Sequence, residues 1–232
     1  MERGLYIAAS GMVAEQMRQD AIANDLANSS TPGYKADRVT QSSFGDLLLS
    51  NTSTGQVVGP LGTGVYADEM TTDLSPQATR VTDEPLDLAI AGEGYFGVQT
   101  PQGVRYTRNG QFTASPQGLL VDQLGNPVVG RGGGQVQIAA NGQVDAATVG
   151  VFRLTGATKQ GDNYFAGAVA GQAAGAVQTG ALEGSGIDPA RTMVDMIASF
   201  RAYEAGQKVI QTIDDTLRRT GTQVANATGG AS

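Results

Sequence analysis

Apolar side chains at Leu5, Ala8, Met12, Ile22 and Leu26 follow helical steps, with Glu15 and Gln19 interrupting the stripe. The spacing predicts a helix of roughly 25 residues, about 38 Å long, filling most of residues 1–30. Gly4 and Gly11 each cost such a helix about 1 kcal/mol relative to Ala, so it needs a partner to be stable in water. A second helix is predicted over 187–222. Asp188 caps it, Pro189 takes its first position, and Met193, Met196, Phe200, Tyr203, Ile210 and Leu217 form a coiled-coil-like stripe. Gly221 is the expected stop, with 223–232 a disordered tail. Both helices carry apolar residues off these stripes: Ile7, Val13 and Met17 on the first, Val194, Ile197, Val209 and Ile213 on the second. One helix pair cannot cover both sets, so a second apolar face is left for neighbours.

The first helix ends abruptly in "NDLANSSTPGYKA" (24–36). Pro32 and Gly33 force the exit, Thr31 is held extended before the proline, and Asn24 and Asn28 can cap. Beyond it the period falls to two. The runs 86–90, 118–122, 135–139 and 149–154 read as short strands separated by glycine. In "VRYTRNGQFTA", a three-residue loop with Gly110 in the left-handed bulge position pairs Tyr106 with Phe112 and Val104 with Ala114. The same rule around Gly142 pairs Ile138 with Val144 and Val136 with Ala146. Residues 31–85 read as an extended, partly stranded connector, and 86–186 as a central β domain whose small-residue stretch 155–183 is irregular. The fold class is α+β: long N- and C-terminal helices pairing as an antiparallel coiled-coil-like unit, with a central all-β domain.

Composition narrows the function. The 232 residues include no Cys and no His, and 33 are Gly. Thiol nucleophiles, imidazole bases and the usual zinc ligands are therefore missing. The net charge of −7 lies mainly in residues 31–188, which hold 8 basic and 14 acidic side chains, while the helical ends are close to neutral. No basic footprint for nucleic acid exists. No run is apolar enough for membrane insertion, and the start lacks the layout of a cleaved signal peptide. "GEGYFG" (92–97) and "GRGGGQ" (130–135) lack the helix or the Lys-Ser/Thr of nucleotide loops and read as turns. Asp83, Glu84, Asp87 and Glu93 match no calcium-loop spacing and read as a solvated rim. No catalytic residue, cofactor or metal is expected.

Four ordered blocks carry a resemblance. "ANDLANSSTPGYKA" (23–36), "LDLAIAGEGYFGV" (86–98), "YTRNGQFTASPQGLLVDQLGNPV" (106–128) and "MVDMIASFRAYEAGQKVIQTIDDTL" (193–217) resemble the signatures of bacterial flagellar axial proteins of the rod and hook class. The resemblance implies an exported structural subunit, not an enzyme, in the basal body spanning the periplasm and cell wall. Its helices would lie in an inner tube and its β domain outside, stacking with itself and with neighbouring rod and hook proteins into a hollow drive shaft. Surrounding bushing rings and, transiently, the flagellar export apparatus are the further partners implied. Phe44 and Leu48 of "FGDLL" match the Phe-x-x-x-apolar pattern that early export substrates present to the secretion gate. The assembly residues expected are Leu5, Met12, Ile22, Leu26, Met193, Met196, Ile197, Phe200, Tyr203, Ile210, Ile213 and Leu217. Asn24, Leu26, Asn28, Thr31, Pro32 and Gly33 form the helix exit.

Overall fold

A computed structural model describes residues 2–45, 47–50, 57–161 and 163–229; for residue 2 and for 47–50, 57–61 and 224–229 it describes backbone alone. The chain forms two compact units. The first takes in residues up to Leu26, then Asp37–Thr71, and the chain from Pro189 onward; the second holds Ala27–Ala36 and Thr72–Asp188. Both helices belong to the first unit: α1 spans Glu2–Ala27 and α2 spans Pro189–Gly229. The class is α+β, with the helices at the chain ends and a mostly β middle.

In the first unit β1 (Asp37–Ser43) pairs with β4 (Val65–Thr72), and β2 (Leu47–Ser50) pairs antiparallel with β3 (Val57–Leu61). Residues 37–71 thus join the helices, although the sequence pattern set them apart as a connector. On α1 the buried positions are Ala14, Ala21 and Asp25, and half-covered ones lie on both sides of them, from 4, 8, 11, 15, 18 and 22 to 5, 12, 19 and 26, so the covered face is broader than one heptad stripe. On α2 the covered positions are 192, 195, 196, 199, 203, 206, 210 and 213, which from 196 onward alternate steps of three and four as a heptad does. The two helices touch within this unit. Ser199 Oγ donates to the Glu15 carboxylate at 2.6 Å, and a Cβ on Gly206 would stand 2.8 Å from Met12 Cγ. One on Gly4 would stand 3.4 Å from Ile213 Cδ1.

The covered stripe of α2 differs from the predicted one. Met193, Phe200 and Leu217 are exposed, and Ser199 and Gly206 occupy the seam instead. The seam needs small residues because the Met12 side chain presses against Gly206 and Glu15 takes the Ser199 hydroxyl, which a hydrophobicity pattern does not register. The helix also runs past the stop expected at Gly221. One glycine costs about 1 kcal/mol and does not end a helix. The hydroxyls of Thr212, Thr216 and Thr222 return hydrogen bonds to the carbonyls of Lys208, Thr212 and Arg218.

The second unit holds β5 (Thr79–Val81), β6 (Leu88–Ala91), β7 (Tyr95–Thr100), β8 (Gly103–Thr107), β9 (Thr113–Ala114), β10 (Leu120–Val121) and β11 (Val128–Val129). It continues with β12 (Val151–Lys159), β13 (Tyr164–Gln172), β14 (Ala176–Thr179) and β15 (Ala181–Glu183). β7 pairs with β8 and β12, β12 with β13, and β13 back with β8, so these four strands close a ring. β6 pairs with β14, and β5 with β15. Leu88, Ile90, Phe96, Phe112, Leu120, Val128, Val136, Val149 and Val151 fill the main core, with Tyr95, Tyr106 and Phe165 in a second cluster.

Two strand predictions are corrected. Tyr106 lies opposite Gly97 and Phe165, not Phe112, because β8 is already committed on both edges. Gly110 is no left-handed bulge: its φ is not positive, and a Cβ there would fall 1.5 Å from Leu88 O, whose N–H donates to Gly110 O. Close approach is what needs the glycine. Around Gly142 the turn does form, with φ +76° and Ala139 N–H donating to Gln143 O. The ladder stops there, since Val136 and Ile138 donate to Val128 and Gly118 instead. The stretch expected to be irregular forms the longest hairpin of the unit, β12–β13, turning at Gly161 and Asn163, both at positive φ. Ala and Gly have weak strand propensity, so this ladder leaves little trace in the sequence.

Candidate assembly surface and the clamp at the helix exit

Of the expected assembly residues, Leu5, Met12, Ile22, Leu26, Met196, Tyr203, Ile210 and Ile213 are half-buried in the first unit. Met193, Ile197 and Phe200 are exposed at 50–54% and lie one turn apart on α2, forming an apolar ridge. Val13 and Met17 of α1 and Val194 and Val209 of α2 are open as well. The same unit holds a groove of about 520 Å³, lined by Gly4, Ala8 and Gly11 of α1, Val65 of β4, and Gly206 and Val209 of α2. Glycines at 4 and 11 create it: a Cβ on Gly11 would meet nothing within 4 Å. Phe44 is half-exposed, its ring 5.0 Å from that of Tyr66, and its N–H donates to Gly64 O. Leu48 lies in β2, and its side chain is outside the described residues.

The helix-exit residues do more than stop a helix. Thr31 N–H donates to Asn28 O, and Asn28 O also accepts from Ser185 Oγ at 3.0 Å. Pro32 O accepts from Asn163 Nδ2. Gly33 has φ +65°, and a Cβ there would lie 2.3 Å from the Arg108 carbonyl, so no other residue fits without strain. Its N–H donates to Glu183 O, and Gly186 N–H donates to Tyr34 O, both at 2.9 Å. Asn24 is exposed on the last turns of α1.

Behind this crossing lies a buried charge cluster that the sequence reading passed over. Lys35, Arg108 and Glu183 are 0–2% exposed. Glu183 accepts from Lys35 Nζ at 2.6 Å, Arg108 Nη1 at 2.8 Å and Gln77 N–H at 2.9 Å. Lys35 also donates to Ser75 O, and Arg108 Nη2 to Gly92 O. Burial lowers the Lys35 pKa from its usual 10.5, and the Glu183 hydrogen bond opposes the shift without cancelling it. Burial likewise raises that of Tyr95, whose ring lies 5.3 Å from the Arg108 guanidinium. Lys35 closes the "TPGYK" string, which is the signal that could have found it. Arg108 and Glu183 have no comparable motif.

The chain with these two end helices, ringed β middle and glycine-locked crossing matches families of flagellar axial proteins in sequence. Residues 5–35 match the family "Flagella basal body rod protein", 89–151 the "Flagellar hook protein FlgE/F/G D1 domain", and 178–223 "Flagellar basal body rod FlgEFG protein C-terminal". The chain is 32% identical to the flagellar basal-body rod protein FlgG of Caulobacter vibrioides, over 94% of this chain and 98% of that protein. It is 30% identical to FlgG of Bacillus subtilis, over 94% and 97%, and 32% identical to the rod protein FlgF of Escherichia coli, over 94% and 97%. The chain belongs to the flagellar basal-body rod protein family, and its role is that of a structural rod subunit.

Proposed function

We propose that the subunit polymerises helically through the two faces of its helical unit, building the hollow shaft that transmits torque from motor to hook. α1 and α2 pair antiparallel, a reading supported by the contacts Gly4 to Ile213, Met12 to Gly206 and Glu15 to Ser199, which run in opposite directions along the two helices. The observation that carries the assembly reading is the exposed ridge Met193, Ile197 and Phe200 on the same chain as the glycine groove of α1. Seating the ridge of one copy in the groove of the next joins unlike surfaces, and such contacts propagate into filaments instead of closing as dimers. In the unassembled subunit the helices are largely unordered and fold on incorporation. The half-exposed Phe44, with Leu48, serves export recognition, and the chain is exported through the flagellar secretion system. Other rod and hook proteins, and the rings around the rod, are its further neighbours.

Having no cysteine, the chain allows a direct test. Gly11→Cys and Ile197→Cys in one chain should form a ladder of disulfide-linked multimers when assembled rods are oxidised. Assembled rods with only monomeric bands would exclude this seating.

A further inference from the structure

The clamp raises a question about order of events: whether the chain crossings are fixed by the helices or by the β unit. The bonds that fasten the clamp lie within the second unit, while Asp37 N–H, just beyond it, donates to Asp25 of α1. Gly33 N–H to Glu183 O, Gly186 N–H to Tyr34 O, Ser185 Oγ to Asn28 O and Lys35 Nζ to the Glu183 carboxylate fasten 28–35 to 183–186. Asn163, Lys159 and the Ala36–Asp73 backbone bond hold the first segment to the rest of that unit. Arg108 and Gln77 do the same for Glu183. No residue of α2, and none of α1 before Ala27, supplies any of these groups.

We infer that the clamp is closed in the unassembled subunit, held by the buried Lys35–Glu183–Arg108 cluster independently of helix pairing. Resting on the proposed assembly, it gives the clamp a regulatory part. Each subunit reaches its place with the exit of α1 and the entry of α2 already held side by side. Incorporation then orders the helices alone and pays no loop-closure entropy for joining residues some 150 positions apart. The carboxylate is the keystone because it alone faces two buried cations, and removing it leaves both uncompensated.

Amide exchange followed by NMR on dilute, full-length monomer tests this, with no polymer needed. Gly33 and Gly186 amides should be protected to the level of Val98 and Val128, and should stay so in Ala14→Pro, which bars even transient helix through the middle of α1. Loss of their protection in Ala14→Pro, or exchange as fast as an open chain in the parent monomer, would overturn the inference. Glu183→Gln should speed exchange at 33 and 186 by about a hundredfold while Val98 and Val128 hold. Unchanged exchange there would show that the cluster does not hold the clamp. Should Glu183→Gln not fold, Lys35→Met gives the same readout with a smaller change. The filament reading fails separately, through absence of cross-links in assembled rods.

Discussion

Glu183 sits between two cations, and that asymmetry predicts unequal effects for substitutions that look alike. Glu183→Gln leaves Lys35 and Arg108 buried without an anion and should lower stability by about 3–5 kcal/mol. Lys35→Met leaves the Arg108–Glu183 pair intact and should cost only about 1–2 kcal/mol. Urea unfolding of the two variants separates them, and equal losses would contradict the arrangement. Proton linkage gives a second test. Lys35 has a folded pKa below 10.5, so the unfolded chain binds more protons and stability should rise with pH from that lowered value toward 10.5. Tyr95 and Tyr106 are raised above 10.0, so their contribution is full below that pH and is lost above it. Urea midpoints should therefore climb toward about pH 10 and then fall, and Lys35→Met should remove the climb.

Elements differ in how plainly the sequence announces them. α1 and α2 are legible because large apolar residues at helical spacing survive any local choice, and Asp188-Pro189 marks where α2 begins. The seam between them is less so, since Ser199 and Gly206 are chosen for size and not for hydrophobicity. β12–β13 is nearly invisible for a related reason: Ala and Gly build its ladder, and backbone bonds, not side chains, define it. Of the clamp, Pro32 and Gly33 are readable as a stop, but their fit against Arg108 depends on contacts 75 residues or more away in sequence, as with Arg108 and Glu183. Gly11 separates packing from propensity. Gly11→Leu should raise the helicity of α1 by about 0.5–1 kcal/mol, because nothing lies within 4 Å of its Cβ position. It should also fill the groove and abolish polymerisation, giving a more helical monomer by circular dichroism that forms no rods by electron microscopy.

For the whole molecule, division into two units predicts separable behaviour. Phe200→Asp touches only an exposed position of the helical unit. It should stop assembly while leaving the main calorimetric transition of the β unit within about 1 °C of the parent. A shift of several degrees would mean the helices brace the β unit in solution. The closed ring of β7, β12, β13 and β8 has a further consequence, one of timing. Its hairpin β7–β8 can form early and β11 then covers Gly97 and Val98 on the outer edge of β7, but the rest of that edge and the outer edge of β8 wait for β12 and β13, roughly fifty residues after the hairpin. A polypeptide emerging N-terminus first therefore carries an unclosed sheet until β13 is out, when Tyr164 and Phe165 can pair with Thr107 and Tyr106. The ring acts as a length gauge, completing itself only when nearly all of the β unit has been delivered.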